Sequence, residues 1–228
     1  METEQFLISI VIIVKIQMNL TDHREEYIKH TLDEKDTGND PVIFFKNWLE
    51  EAIRGNVPEP TAMSVSTVSD SGRPSSRIVL LKGIEEDKFL FYTNYNSDKG
   101  KQISSNPRVA LLFFWPGVER QVRVEGSVEK ILPAESDKYF NSRPPESRIG
   151  AVVSPQSEVL KDRHQLEEMY AHVAGKFRTA LIMRPGHWGG YAVSPELIEF
   201  WQGRAGRMHD RIRFRRVGNG WIKERLAP

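Results

Sequence analysis

The stretch EFWQGRAGRMHDRIRF, residues 199–214, crowds Trp201, Gly203, Gly206, Arg207, His209, Asp210 and Arg211 into one short segment. These residue types suit a particular chemistry. Guanidinium groups hold phosphates and carboxylates through paired, charge-assisted hydrogen bonds. An imidazole gains or loses a proton near neutral pH. An indole offers a flat face for stacking, and glycines let the backbone approach a ligand closely. A lone histidine is more often structural, and tryptophan is a core residue by default. The close packing of Gly203, Gly206, Arg207 and His209 is what favours a binding role. Other candidate cations are Arg77, Lys82, Lys99, Arg123 and Arg143, each in or beside a strand or tight turn. Lys82 ends the apolar run IVLLK and, taken alone, reads as a solvated strand end. RQVRVEG alternates, with Arg120, Val122 and Val124 on one face and Gln121, Arg123 and Glu125 on the other, as an exposed polar face would. SDKGK, residues 97–101, opens a helix after a turn whose free N–H groups can bind phosphate, although it lacks Walker spacing. There is no Gly-x-Ser-x-Gly elbow and no His-Glu-x-x-His pair.

These residues must be positioned by the elements around them. Asp40 as N-cap and Pro41 at the first turn open a helix through Phe44, Phe45, Trp48, Leu49, Ala52 and Ile53, which Gly55 ends. Strand patterns follow at TAMSVSTV, SRIVLLKGI, KFLFYTN, RVALLFFW and RQVRVEGSVEKI. Helical pieces are expected at about 133–142, 145–153 and 162–173. Four last strands, WGGYAV, LIEFWQG, DRIRFRR and GWIKERL, close the chain. Short strands separated by turns, interrupted by helices, predict a mainly β fold: a small antiparallel barrel with peripheral helices.

The chain has 228 residues, 39% hydrophobic and 28% charged, with formal net charge +1 and no cysteine. One domain with a real core is expected. Balanced charge argues against bulk nucleic-acid binding, and a nucleic-acid barrel built on RIRFRR finds little support. The missing cysteines exclude disulfides, zinc thiolate sites and cysteine nucleophiles, and fit a cytoplasmic protein. No metal ligand set is expected. The apolar run FLISIVIIVKI, residues 6–16, is shorter than the roughly 20 residues a span requires and lacks the features of a signal peptide. It is read as an upstream extension, with Met18 as a second start.

Read in order from about residue 20 onward, REEY, SRIVLLKG, FYTNYNS-KGK, RQVRVEG, YFNSRP, IGAVVSPQS, WGGY, EFWQG, R-HDRI-F and ERLAP resemble the pyridoxine/pyridoxamine 5′-phosphate oxidase family. Each motif is short, but the ordered set is highly specific. The resemblance implies a homodimeric, FMN-binding split barrel with flavin sites at the subunit interface. It implies oxidation of pyridoxamine 5′-phosphate and pyridoxine 5′-phosphate to pyridoxal 5′-phosphate, with hydride leaving to FMN and dioxygen becoming hydrogen peroxide. It implies residues 1–40 as extension and mobile lid, and 41–228 as the barrel with its C-terminal dimerisation and substrate region.

The same resemblance implies roles. Arg77, Ile78, Val79, Leu80, Leu81 and Lys82 would run along the flavin, Arg77 near its phosphate and Lys82 near the substrate. Tyr92, Thr93, Lys99 and Gln121 would add FMN contacts, with Gln156 and Ser157 reaching it from the partner subunit, and Trp201 and Arg211 completing the site. Tyr139, Arg143 and Ser147 would grip the substrate phosphate. Arg207, Met208 and His209 would hold the pyridine ring, with Arg207 and His209 as the catalytic pair and their division of labour open. Arg24 and Tyr27 would belong to the lid. Two features depart from the family pattern. Asp98 stands beside Lys99 where a basic residue is usual, so weaker FMN binding is expected. TALIM, within residues 176–191, replaces a shorter polar loop. The alternatives are a non-catalytic FMN or pyridoxal-phosphate carrier and a split-barrel flavin oxidoreductase with another substrate.

Overall fold

In a computed structural model of the chain, residues 25–177 and 180–228 are described. Arg24 and the apolar leader lie outside the described residues. The expected first helix is α1 (Pro41–Arg54). The Asp40 carboxylate accepts from the N–H groups of Val42 and Ile43, satisfying two of the donors every helix start leaves free. Its apolar face buries Phe45, Trp48 and Ala52 against the sheet. Each such aromatic contributes about 1.5–3 kcal/mol relative to exposure.

Nine antiparallel strands form one curled sheet: β1 (Ala62–Val68), β2 (Pro74–Leu80), β3 (Gly83–Glu85), β4 (Lys88–Asn94), β5 (Arg108–Trp115), β6 (Arg120–Lys130), β7 (Trp188–Gln202), β8 (Asp210–Val217) and β9 (Gly220–Leu226). Their order is β2-β1-β5-β6-β7-β4-β3, with β8 added to β7 and β9 to β8. The run SRIVLLKGI is broken. Leu81 N–H donates to Thr61 O on the β1 side, and Lys82 N–H donates to Leu90 O on the β4 side. Those two residues therefore hand the chain from one edge of the sheet to the other and close the barrel. WGGYAV and LIEFWQG, expected as two strands, are one. The first half of β7 pairs with β4 and the second with β8, while its other edge follows β6 throughout. Pro195, which has no N–H, sits at the register shift beside Glu125 and Gly126, where the strand bends between its two partners.

Helices α2 (Asp98–Ser105), α3 (Pro133–Ser142), α4 (Pro145–Val153) and α5 (Arg163–Lys176) flank the sheet. A second, smaller core joins Phe140, Ile149, Val153, Ile182 and Trp188. The departure at residues 180–183 has its physical account there. Ile182 is buried while Leu181 and Met183 point outward, so the segment is an anchor under α3 and α4.

The outward sheet face carries a continuous cross-strand row, Ile78–Ser64–Leu112–Arg123–Glu199–Arg213–Glu224. Ile78 and Phe114 are more than half exposed on this face. No helix among the described residues is long and apolar enough to cross a membrane.

Candidate active site

Strand β2, the end of β4, the start of α2, the end of α3 and the loop after α4 surround a cleft of about 640 Å³. Its walls include Arg77, Ile78, Val79, Leu80, Lys82, Tyr92, Thr93, Lys99, Tyr139, Arg143, Gln156 and Ser157. Most of the residues expected at the cofactor and at the substrate phosphate are therefore brought together within one chain. Gln156 and Ser157 were expected from the partner subunit; in this chain they line the same cleft as Arg77 and Lys99. Gln156 Oε1 accepts from Lys99 Nζ at 2.9 Å and from Thr93 Oγ1 at 3.1 Å of the same chain. The loop leaving α4 folds back over β4, and Ser157 takes a left-handed conformation (φ 75°) to do so. Leu81 departs as well: its side chain lies in the core, 5% exposed, facing away from the cleft. Ser147 is half-buried in the first turn of α4 and does not line the cleft.

The electrostatics are those of an anion site. Lys99 is buried, with Nζ bonded to the oxygens of Thr93, Ser97 and Gln156. Burial first, and the Arg77 charge second, push its pKa down to about 8, while Asp98 works in the opposite direction. Arg77 Nη1 donates to Thr67 Oγ1 at 2.6 Å and to Ser75 O at 3.1 Å, and burial lowers its pKa as well. Arg143 Nη1 is buried with no hydrogen-bond partner. A guanidinium donor in that state fits a ligand oxyanion. Asp98 lines the same cleft, so the carboxylate singled out in the sequence does face the cations. The sequence reading missed Trp188 as a cleft residue. Its signal was an aromatic opening a strand in WGGY, indistinguishable from a core residue. Tyr92, Tyr139 and Trp188 are near-parallel, with Tyr92–Tyr139 centroids 3.8 Å apart.

The remaining expected residues gather elsewhere. Tyr27, Arg207 and His209 line a second cleft of about 500 Å³ with Glu25, Glu26, Arg204 and Gly206. Trp201 lies beside it, 4.6 Å from the His209 ring. Tyr27 packs edge-on against Trp201 at 5.6 Å. Gly203 makes room for this contact, since a Cβ there would lie 2.6 Å from Tyr27. That glycine accommodates a side chain of the N-terminal segment, not a ligand as the sequence suggested. Gly206 and Arg207 both adopt left-handed conformations (φ 61° each), which is a strained state for Arg207. Met208 is exposed beside them. The Arg204 N–H donates to His209 Nδ1 at 3.1 Å. Neutral His209 therefore carries its proton on Nε2 and presents a donor. Burial, then the Arg207 charge, lowers its pKa. Arg211 is engaged by the buried Glu199 carboxylate at 2.9 Å and by Ala227 O. Gln121 sits on the outward face opposite Phe114 and Trp201. The candidate residues are thus divided between two clefts of one chain. Among the described residues no cluster of potential metal ligands occurs.

Residues 49–176 match the family described as pyridoxamine 5′-phosphate oxidase, and residues 188–228 match the pyridoxine 5′-phosphate oxidase C-terminal dimerisation region. A pyridoxine/pyridoxamine 5′-phosphate oxidase of Leptospira interrogans is 50% identical over 92% of this chain and 98% of its own length. The structure of PhzG from Burkholderia lata, in complex with tetrahydrophenazine-1-carboxylic acid, superposes with a TM-score of 0.83 at 28% identity, over 89% of this chain and all of that one. A pyridoxamine 5′-phosphate oxidase-related, FMN-binding protein of Nostoc punctiforme shares the fold, with a TM-score of 0.67 at 18% identity over 84% of this chain and all of its own.

Proposed function

The chain belongs to the pyridoxamine 5′-phosphate oxidase family, and from that premise we propose how it works. It is an FMN-dependent oxidase that converts pyridoxamine 5′-phosphate and pyridoxine 5′-phosphate to pyridoxal 5′-phosphate, with dioxygen as final acceptor and hydrogen peroxide as by-product. One observation carries the reading. Two sets of cations from different elements, Arg77 with Lys99 and Arg143 beside Tyr139, line one cleft. That arrangement suits a phosphorylated cofactor together with a phosphorylated substrate.

The donors present fit FMN. Arg77 and Lys99 would neutralise its phosphate, and Thr93, Gln156 and Ser157 would hydrogen-bond it. FMN, when bound, would supply the hydride-accepting and dioxygen-reducing chemistry. The chain's own residues bind and orient. Lys82, Tyr139 and Arg143 hold the substrate phosphate. Arg207 and His209 fix the pyridine ring by donating hydrogen bonds. Arginine is too basic to accept a proton, and His209 Nδ1 is already taken by the Arg204 N–H. Both therefore orient the substrate rather than abstract a proton from it.

A homodimer unites the two half-sites, with Gln121, Trp201, Arg207, His209 and Arg211 of one copy completing the cleft of the other. The exposed Ile78, Leu112 and Phe114 on the outward face and the dimerisation-region match support this. The cysteine-free composition is consistent with a cytoplasmic enzyme.

PhzG-like chemistry on a non-phosphorylated substrate is the second reading, favoured by the TM-score of 0.83. The FMN-loaded protein should form pyridoxal 5′-phosphate and peroxide from pyridoxamine 5′-phosphate, and far less product from unphosphorylated pyridoxamine. Equal turnover of both would count against the phosphate cleft and for the second reading.

A further inference from the structure

We infer that Trp188 is a positioning residue for phosphate recognition: its indole face holds the Arg143 guanidinium where it can grip the substrate phosphate. This rests on the role given to Arg143 above. Arg143 Cζ lies 4.7 Å from the Trp188 ring centroid. Among the described residues two other arginines stack on indoles, and both are also hydrogen-bonded. Arg120, 4.3 Å from Trp48, donates to Gln202 and Glu51. Arg216, 4.4 Å from Trp221, donates to Pro195 O. Among the described residues Arg143 has no such side-chain partner, and its Nη1 is buried and unpaired.

The difference has a chemical logic. An unpaired arginine on a long stem is free to wander, at a cost in rotamer entropy when it must be fixed. A carboxylate would fix it but would compete with the incoming phosphate. A π-face fixes it without consuming its donors or its charge. Trp188 is itself immobilised. Phe140 abuts it edge-on at 5.3 Å, and Tyr139 lies parallel to it within 7°. Its carbonyl accepts from Arg184 Nη1 at 2.6 Å, and Arg184 is in turn paired with Asp137.

The test uses the FMN-loaded enzyme. A cation–π contact at a partly desolvated site is worth about tenfold in binding. Trp188→Leu should raise KM for pyridoxamine 5′-phosphate by about that factor, with a much smaller change in kcat. The inhibition constant for inorganic phosphate should rise in parallel, and that for unphosphorylated pyridoxal should stay put. Trp188→Phe, which keeps a weaker π-face and less disturbed packing, should shift the same constants less. In an Arg143→Ala background neither change should matter further. Equal weakening of phosphorylated and unphosphorylated ligands, or a fall in kcat at constant KM, would reduce Trp188 to a packing residue and overturn the inference. If Arg143→Ala raises KM while neither Trp188 variant does, the phosphate role of Arg143 stands and the platform fails. If Arg143→Ala leaves KM unchanged, that role fails and takes the platform with it.

Discussion

His209 and Lys99 make the most pointed statements at the scale of single residues. The imidazole's Nδ1 accepts a backbone N–H, so its useful group is the Nε2 proton. A glutamine amide can mimic that donor. His209→Gln should therefore retain substantially more activity than His209→Ala, the difference being about tenfold for one hydrogen bond. Equal loss in both variants would point instead to a base. His209 titrates below the ordinary imidazole value, through burial and then the Arg207 charge; protonation would set a second N–H against the Arg204 donor, so the acid limb of kcat/KM should lie lower than an ordinary imidazole would give. Lys99, at about 8, is charged at neutral pH and becomes neutral as pH rises. A bound phosphate dianion stabilises the charged form and raises the pKa, so FMN affinity should be level between about pH 7 and 8 and decline above it, with a separate loss below about pH 6 as the phosphate itself takes a proton. Titrating FMN against pH checks this, and Lys99→Met should flatten the profile. Asp98 repels the same phosphate but also supports the charge on Lys99. At pH 6.5, where Lys99 is protonated either way, Asp98→Asn should tighten FMN severalfold, and unchanged affinity would show that Asp98 turns away from the ligand.

At the scale of elements, the N-terminal segment is laid over the C-terminal strands by Tyr27 in the Gly203 notch and by Asp210, which accepts from Leu32 N–H, Arg204 and Arg225. Gly203→Ala should destabilise the protein by about 1–3 kcal/mol through overpacking against Tyr27. Tyr27→Ala should suppress most of that cost in the double variant, as thermal unfolding of the four proteins would reveal. Much of this layer is legible in the sequence, because caps and periodicity are local. Asp40 and Pro41 announce α1, and RQVRVEG shows its alternation directly. The unity of β7 is not legible, since Pro195 reads as a break and only its two-sided pairing carries the strand through. The Leu81–Lys82 hand-over is likewise tertiary. Trp188 and the Gly203 notch depend on what packs against them from far along the chain, which no spacing rule encodes. That Gln156 bonds Thr93 and Lys99 of its own chain is hidden for the same reason.

At the scale of the whole molecule, a dimer with composite sites is proposed from the division of the candidate residues between two clefts and from the exposed Ile78 and Phe114. Phe114→Glu should yield a monomer by sedimentation and lose tight FMN binding with it. Complementation is sharper. Lys99→Met and Arg207→Ala proteins, each impaired alone, should regain activity when unfolded and refolded together, because each mixed dimer contains one intact site. Random pairing in a twofold dimer sets the ceiling at about a quarter of wild type. No recovery would place both half-sites in the same chain. The oxidase function itself is tested most directly by the absorption spectrum of the FMN-loaded protein under anaerobic conditions, before and after addition of pyridoxamine 5′-phosphate. The flavin band should bleach and return on admitting air. A band that stays unbleached with substrate bound would contradict electron transfer from this substrate and leave a flavin-binding barrel with a different partner in chemistry.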